Sequence, residues 1–165
     1  MKMNQVAMYL AVGAVSAGVA LLALGAQEKE EAVTWAQVPA AAQQTFKAHT
    51  PETAIQKVEK NTEDGKVSYE AQVIQNGKKS EISVTPDGKL LSVEEEVALT
   101  DVPAAVRQTL EAQATGGTMG AVEKVTGDGK TTFETKVEKG GKKLEITVGP
   151  DGKVAGTEDV TKEKD

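Results

Sequence analysis

Apolar and polar residues alternate along two stretches of this chain, and the alternation predicts β-strands. From Val67 to Val73 the odd positions are apolar or aromatic, while the even positions are Ser68, Glu70 and Gln72. The same alternation returns from Thr131 to Val137 and continues in the segments that follow each stretch. A period of two with one polar face is typical of an antiparallel sheet that is covered on one side only.

Turn signals separate the predicted strands. Asp-Gly, Asn-Gly, Gly-Gly and Pro-Asp-Gly sequences recur at intervals of about ten residues, and they supply the positive φ that tight hairpins require. Ahead of each set of strands, apolar residues recur at helical spacing, from Val38 to Phe46 and from Val102 to Leu110. The flanking strands, 55–62 and 119–126, are less regular than the others. The pattern thus predicts, twice, one short helix followed by a four-stranded antiparallel meander.

The chain repeats itself at an offset of 64 residues. From position 38 to position 90, 26 of the 53 aligned positions are identical without a gap, including Val-Pro-Ala-Ala, Asp-Gly-Lys, Gly-Lys-Lys and Pro-Asp-Gly-Lys. A single offset that holds four motifs indicates an internal duplication. The predicted fold class is therefore α+β, with two tandem repeats at 34–97 and 98–159 and the helices packed on one face of the sheet or sheets. Val97-Ala98-Leu99 joins the repeats without a spacer, so they either dock or continue one sheet.

The two ends of the chain are predicted to lie outside the repeats. Residues 1–26 combine Lys2, an apolar run from Val6 to Leu24 and small residues at Gly25 and Ala26, which is the order of a signal peptide. Residues 27–33 are predicted to be a polar linker, and residues 160–165 a charged tail. Retention of the apolar run as a membrane anchor is the alternative, because its length is near the lower limit for a span. Both readings predict an exported chain.

Composition excludes several kinds of site. The net charge of −6 argues against nucleic acid, and the absence of cysteine excludes disulfides and thiolate metal sites. The only histidine, His49, is replaced by Gln113 in the second repeat, so neither a hydrolytic triad nor a metal site is indicated. We predict no cofactor and no metal. Weak calcium binding stays open for the aspartates in turns, although the spacing of a calcium loop is missing; these are Asp64, Asp87, Asp128 and Asp151.

The recurring motifs resemble those of a known family. Val-Pro-Ala-Ala, Tyr/Phe-Glu-x-x-Val, Gly-Lys-Lys-x-Glu-Ile-x-Val and Pro-Asp-Gly-Lys occur in both repeats, and together they are similar to the PepSY-like domains, which are related in fold to the β-lactamase inhibitory protein. The resemblance covers nearly the whole chain after the predicted signal. It implies a periplasmic or extracellular, non-catalytic protein that regulates or inhibits peptidases or binds envelope proteins.

The polar face of the predicted sheet is the candidate partner-binding surface, and plain solvation is its alternative. We predict a monomer that binds an unidentified envelope or secreted protein there, because two sheets offer the area of a standard interface. A membrane-tethered structural role and a small hydrolase using Glu94, Glu95 and Glu96 are the other hypotheses. Trp35 is predicted to pack onto Phe46 or the helix start rather than to anchor a partner. The residues of the candidate face are Glu70, Gln72, Glu81, Glu134, Lys136 and Glu145.

Overall fold

The computed structural model describes residues 29–161. The predicted signal peptide, residues 27 and 28 of the predicted linker and residues 162–165 of the predicted tail lie outside the described residues. No helix between positions 29 and 161 is long and apolar enough to cross a membrane.

Strands dominate the described chain. In sequence order they are β1 (Lys29–Val33), β2 (Ile55–Glu63), β3 (Lys66–Gln75), β4 (Lys78–Val84), β5 (Leu90–Val97), β6 (Thr118–Gly127), β7 (Lys130–Lys139), β8 (Lys142–Val148) and β9 (Val154–Asp159). The α-helices are α1 (Ala40–His49) and α2 (Ala104–Gln113), and three single-turn 3-10 helices lie at Trp35–Gln37, Glu52–Ala54 and Leu99–Asp101.

The predicted fold class, two repeats of a helix and a four-stranded meander, is wrong. The nine strands form one sheet in the order β1 to β9. The added strand, β1, comes from the predicted linker, and it pairs antiparallel with β2 from Lys29↔Thr62 to Val33↔Val58. A sheet edge offers unpaired backbone N–H and C=O groups, so a Glu-rich segment can pair there through its backbone. Side-chain alternation therefore gave no signal for this strand.

The chain divides after Glu94 into two compact units, which we call unit 1 (residues 29–94) and unit 2 (residues 95–161). The division falls inside β5, so neither unit is a separate four-stranded meander. The hairpins within the two units nevertheless share one register. The pairs Tyr69↔Val84 and Gln75↔Lys78 of β3 and β4 recur, 64 positions later, as Phe133↔Val148 and Lys139↔Lys142 of β7 and β8.

Unit 1 buries its apolar side chains between α1 and one face of its strands. Ala42 and Phe46 of α1 are both fully buried and belong to one cluster with Ala71, Ile82 and other strand residues. Across the strands the register sets Val58 opposite Ala71 and Ala71 opposite Ile82, so a row of apolar residues faces the helix. Since α1 has only ten residues, packing on this row is what stabilises it.

Unit 2 repeats this core with different side chains on the helix. Val106 and Leu110 of α2 are fully buried and pack in one cluster with Phe133, Val137 and Ile146. The Val106 side chain is larger than that of its counterpart Ala42, and the Leu110 side chain is smaller than that of its counterpart Phe46. The two helices therefore divide the side-chain volume differently between the same two positions. Cores tolerate such changes when the total volume is kept.

A glycine in the turn before the last strand of each unit sets how closely the helix approaches. A Cβ on Gly88 would lie 2.8 Å from the carbonyl oxygen of Ala41, and Gly88 has φ +87°. The Thr45 hydroxyl donates to the Gly88 carbonyl at 2.6 Å. In unit 2 a Cβ on Gly152 would lie 2.8 Å from the Ala105 oxygen, and Thr109 donates to Gly152 at 2.6 Å. We call this arrangement the helix–turn lock.

Trp35 packs as predicted. Its ring centroid lies 6.1 Å from that of Phe46, at 42°, and the Trp35 carbonyl accepts from the Gln43 side-chain amide at 2.9 Å. The Lys47 ammonium lies 5.5 Å from the Trp35 ring centroid. The prediction that Trp35 packs onto Phe46 or the helix start is confirmed, and the ring contact is with Phe46.

We expect Gly88→Ala to destabilise the protein more than Gly65→Ala. Both glycines have positive φ, but nothing lies within 4 Å of a Cβ on Gly65. Positive φ costs an alanine about 1–2 kcal/mol in either place, whereas overlap with α1 adds about 1–3 kcal/mol at position 88 alone. Urea unfolding of the two variants measures the difference. Equal losses would show that close approach to Ala41 does not matter.

We also expect Ala42→Val to offset part of the cost of Phe46→Leu, because unit 2 uses the Val106 and Leu110 combination at these sites. Alone, Phe46→Leu leaves a void and Ala42→Val overfills a site at a cost of about 1–3 kcal/mol. In a double-mutant cycle the pair should be less destabilising than the sum by at least about 0.5 kcal/mol. Strict additivity would contradict this view of the helix packing.

Candidate functional site

The side of the sheet facing away from α1 carries a group of glutamates in unit 1. Glu59 of β2 lies directly opposite Glu70 of β3, and Glu70 lies opposite Ser83 of β4. The next pair along the same face is Gln72 with Glu81. We call Glu59, Glu70, Gln72 and Glu81 the polar face of unit 1.

Unit 2 has the same arrangement. Glu123 of β6 lies opposite Glu134 of β7, and Glu134 lies opposite Thr147 of β8. The following pair is Lys136 with Glu145. We call Glu123, Glu134, Lys136 and Glu145 the polar face of unit 2. Each of the four follows its unit 1 counterpart by 64 residues, and one differs, since lysine takes the place of Gln72.

The structure separates the six candidate residues by depth. Glu70 is 1% exposed and Glu134 is 5% exposed, so neither carboxyl group is available for contact with a partner. Gln72, Glu81, Lys136 and Glu145 are partly exposed. Alternation along a strand correctly gives the side of the sheet but not the depth of a side chain, because central strands are shielded by their neighbours on both sides.

Burial beside other carboxylates changes the acidity of Glu70. Desolvation, followed by the charges of Glu81 and Glu59, raises the pKa of Glu70 to about 9. The Ser83 hydroxyl donates to Oε2 of Glu70 at 3.4 Å, while the buried Oε1 has no hydrogen-bond partner. A carboxyl group in this position is more stable protonated than charged.

The pKa of Glu134 is raised less than that of Glu70. Desolvation and then the charge of Glu145 raise the pKa of Glu134 to about 7, while the Thr147 hydroxyl and the Lys136 ammonium lower it. The Thr147 hydroxyl donates at 3.1 Å, which is a shorter bond than Glu70 receives. Lys136 lies 3.9 Å from a carboxylate oxygen of Glu145. Desolvation also raises the pKa of Glu123.

A cavity of about 340 Å³ opens on the polar face of unit 2. Glu123, Glu134, Lys136 and Glu145 all line it, together with Gly120 and Ala121 of the irregular segment of β6. That segment is irregular because the register of β6 shifts between Met119 and Val122. The structure therefore brings three of the six candidate residues, Glu134, Lys136 and Glu145, to one concave site.

Two members of the polar faces, Glu59 and Glu123, were not predicted. Each lies on a strand whose register shifts, between Ile55 and Lys57 in β2 and between Met119 and Val122 in β6. The shift breaks the period of two, so alternation could not assign these glutamates to a face. Their identity at the offset of 64 residues was the available signal.

The other residues considered from the sequence do not form a site. Glu94 is buried, whereas Glu95 and Glu96 are exposed. Asp64 and Asp128 have positive φ, which accounts for them as turn residues. Over residues 29–161, no group of three histidine, aspartate or glutamate side chains could hold a metal ion.

Solved structures with the same fold come from several Bacteroides species. A DUF2874 family protein from Bacteroides uniformis is 19% identical, with a TM-score of 0.62 over 75% of this chain and 91% of its own. A protein described as a "putative periplasmic" protein from Bacteroides eggerthii is 22% identical, with a TM-score of 0.63 over 75% and 90%. A BLIP-like protein from Bacteroides fragilis is 23% identical, with a TM-score of 0.59 over 77% and 90%. At these identities the likeness shows the fold alone.

A family profile matches the chain twice, over residues 25–92 and residues 67–155, and its description is "Putative beta-lactamase-inhibitor-like, PepSY-like". No curated protein matches. Because the two matches together span most of the sequence, the chain belongs to the PepSY-like family.

Replacing Glu70 tests the acidity of the buried group. A carboxyl group whose pKa is raised on folding contributes its full stability below its unfolded pKa of 4.5 and loses it as the pH rises towards about 9. Glu70→Gln removes the ionisable proton and keeps the shape. It should leave the free energy of unfolding nearly unchanged at pH 4 and raise it by about 1–3 kcal/mol at pH 8, since one pKa unit is worth about 1.4 kcal/mol.

Urea unfolding at the two pH values measures this effect. The matched control is Glu63→Gln, at an exposed position of β2, which should change stability by less than about 0.5 kcal/mol at both pH values. A Glu70→Gln effect that is equal at pH 4 and pH 8 would contradict the raised pKa.

Proposed function

We propose that this PepSY-like protein is an exported, non-catalytic protein that binds another envelope or secreted protein through the partly exposed polar residues of its sheet. Family membership supports the non-catalytic role. Export is supported by the predicted signal peptide and by the periplasmic description of the Bacteroides eggerthii relative.

One observation carries the binding proposal. The cavity on the polar face of unit 2 is lined by the partly exposed side chains of Lys136 and Glu145, so this face offers a partner both a concave surface and charges. A concave site can receive a side chain of the partner, and charges of both signs along its lining favour correct orientation and fast association. Glu and Lys are depleted in the centres of most interfaces, so we expect these charged residues to set the orientation of a partner more than to supply buried apolar area.

The raised pKa of Glu134 does not by itself indicate catalysis. A pKa of about 7 would suit a general base. However, Glu70 occupies the equivalent position in unit 1 and its pKa is raised even further. One structural cause, burial beside other carboxylates, accounts for both shifts, and buried ionisable groups commonly behave in this way without a catalytic role.

Charge reversal at the cavity tests the proposal. Glu145→Lys changes a residue that lines the cavity, while Glu111→Lys makes the same change of charge at an exposed position of α2. A partner should first be captured on the purified protein from envelope and secreted fractions, identified by mass spectrometry and then purified. In titration calorimetry, we expect Glu145→Lys to weaken binding at least tenfold, whereas Glu111→Lys binds within about twofold of the original protein, because distant charges are screened by salt.

Equal effects of the two substitutions would show that only net charge matters and would contradict a site on the polar face. Failure to capture any partner at low salt and high protein concentration would count against binding altogether. Circular dichroism spectra of both variants establish that each remains folded.

A further inference from the structure

We propose that the cavity of unit 2 receives the primary ammonium group of a lysine side chain, which a protein partner places against Glu123 in the way that Lys57 is placed against Glu59 in unit 1. This inference rests on the proposed function and names the chemical group that the same site recognises.

Unit 1 makes this contact within its own chain. Lys57 and Glu59 lie two residues apart on β2 and point to the same face of the sheet. The Lys57 ammonium lies 2.7 Å from a carboxylate oxygen of Glu59, and Glu59 is 7% exposed. An opposite charge at this distance favours the ionised form of a carboxyl group. Unit 1 therefore supplies this glutamate with an ammonium group of its own.

Unit 2 keeps the glutamate and lacks the lysine. At the offset of 64 residues, Glu123 takes the place of Glu59 and Ala121 takes that of Lys57. Gly120, Ala121 and Glu123 all line the cavity, and Glu123 is partly exposed whereas Glu59 is buried. The short side chains at the irregular segment of β6 therefore leave the carboxyl group of Glu123 accessible from the cavity.

The two lysines of the cavity lining each lie directly opposite a glutamate of the neighbouring strand. The pairs are Lys136 with Glu145 and Lys143 with Glu138. The Lys136 ammonium lies 3.9 Å from a carboxylate oxygen of Glu145, and its charge also acts on Glu123. Glu123, in contrast, lies directly opposite a second carboxyl group, that of Glu134. The lining thus combines four carboxyl groups with two ammonium groups, and its charge is complementary to a further cation.

A buried hydroxyl group fixes the irregular segment that borders the cavity. The Thr135 hydroxyl donates to the Ala121 carbonyl at 2.7 Å, and Thr135 is 3% exposed. The equivalent residue of unit 1, Ala71, has no hydroxyl group. Because this bond holds the segment in place within the chain, the cavity is formed before a partner arrives, and a preformed site lowers the entropic cost of binding.

A small lysine analogue tests the site without a partner. The probe is Nα-acetyl-lysine methylamide, and the control is its Nε-acetylated form, which lacks the positive charge. Both are titrated to millimolar concentrations into ¹⁵N-labelled protein at pH 8 and constant ionic strength, where Glu134, with a pKa of about 7, is mostly ionised. We expect the charged probe alone to shift the amide signals of Gly120, Ala121 and Glu123. Glu123→Gln should weaken this binding at least about fivefold, because the ion pair is lost.

A substitution at position 121 tests the comparison between the units. Ala121→Lys gives unit 2 the lysine of unit 1, whose ammonium should occupy Glu123 and abolish binding of the probe. The matched control is Thr126→Lys, which adds the same charge at an exposed position of β6. It should leave the affinity for the probe within about twofold of that of the original protein, because distant charges are screened by salt.

Equal shifts with the charged and the acetylated probe, or undiminished binding to Glu123→Gln or Ala121→Lys, would overturn the inference. If Ala121→Lys does not fold, Glu123→Gln and the acetylated probe decide the matter. The outcome is separable from that of the proposed function. A captured partner whose binding is weakened by Glu145→Lys but not by Ala121→Lys would leave the proposed function standing and contradict the lysine site. Specific binding of the probe without any captured partner would support the lysine site and contradict the proposed function alone.

Discussion

Each unit depends on the close approach of a helix to a glycine turn. Gly88 and Gly152 admit the backbone of α1 and α2 to a distance that any side chain would prevent, and Thr45 and Thr109 fasten the contact. A helix of ten residues gains little from its own hydrogen bonds. Its apolar face is therefore buried only while the helix–turn lock holds it on the strands.

In each unit a short helix covers one side of the strands, so the polar residues lie on the other side. With α1 and α2 on the apolar side, the opposite side of each unit carries the glutamates, and shielding by neighbouring strands buries Glu70 and Glu134. Burial of an acid that must hold its proton lowers stability at high pH. Groups with raised pKa values occur at functional sites as well as in purely structural networks, and the proposed role of this face in recognition is consistent with the former.

The hairpin turns and the two helices, which depend on local residue types, were predicted correctly from the sequence. Asp-Gly and Asn-Gly fix hairpins through positive φ, confirmed at Asp64, Asn76 and Asp128, and helical spacing located α1 and α2. The predicted organisation failed at β1, where backbone pairing at an edge needs no apolar pattern, and at β5, which runs across the division between the units. It also missed Glu59 and Glu123, because register shifts hide the side of the sheet they face, and it could not give the depth of Glu70.

Native-state hydrogen exchange on the intact protein tests most directly whether the helix–turn lock controls the core. If the lock holds as described, the amides of α1 and those of its underlying strands β3 and β4 should open with the same free energy, because the helix cannot leave without exposing Phe46 and Ile82. The amides of α2, β7 and β8 should likewise share one value. Helix amides that exchange through an opening at least about 2 kcal/mol less costly than that of the strands, with the strands still protected, would contradict this dependence.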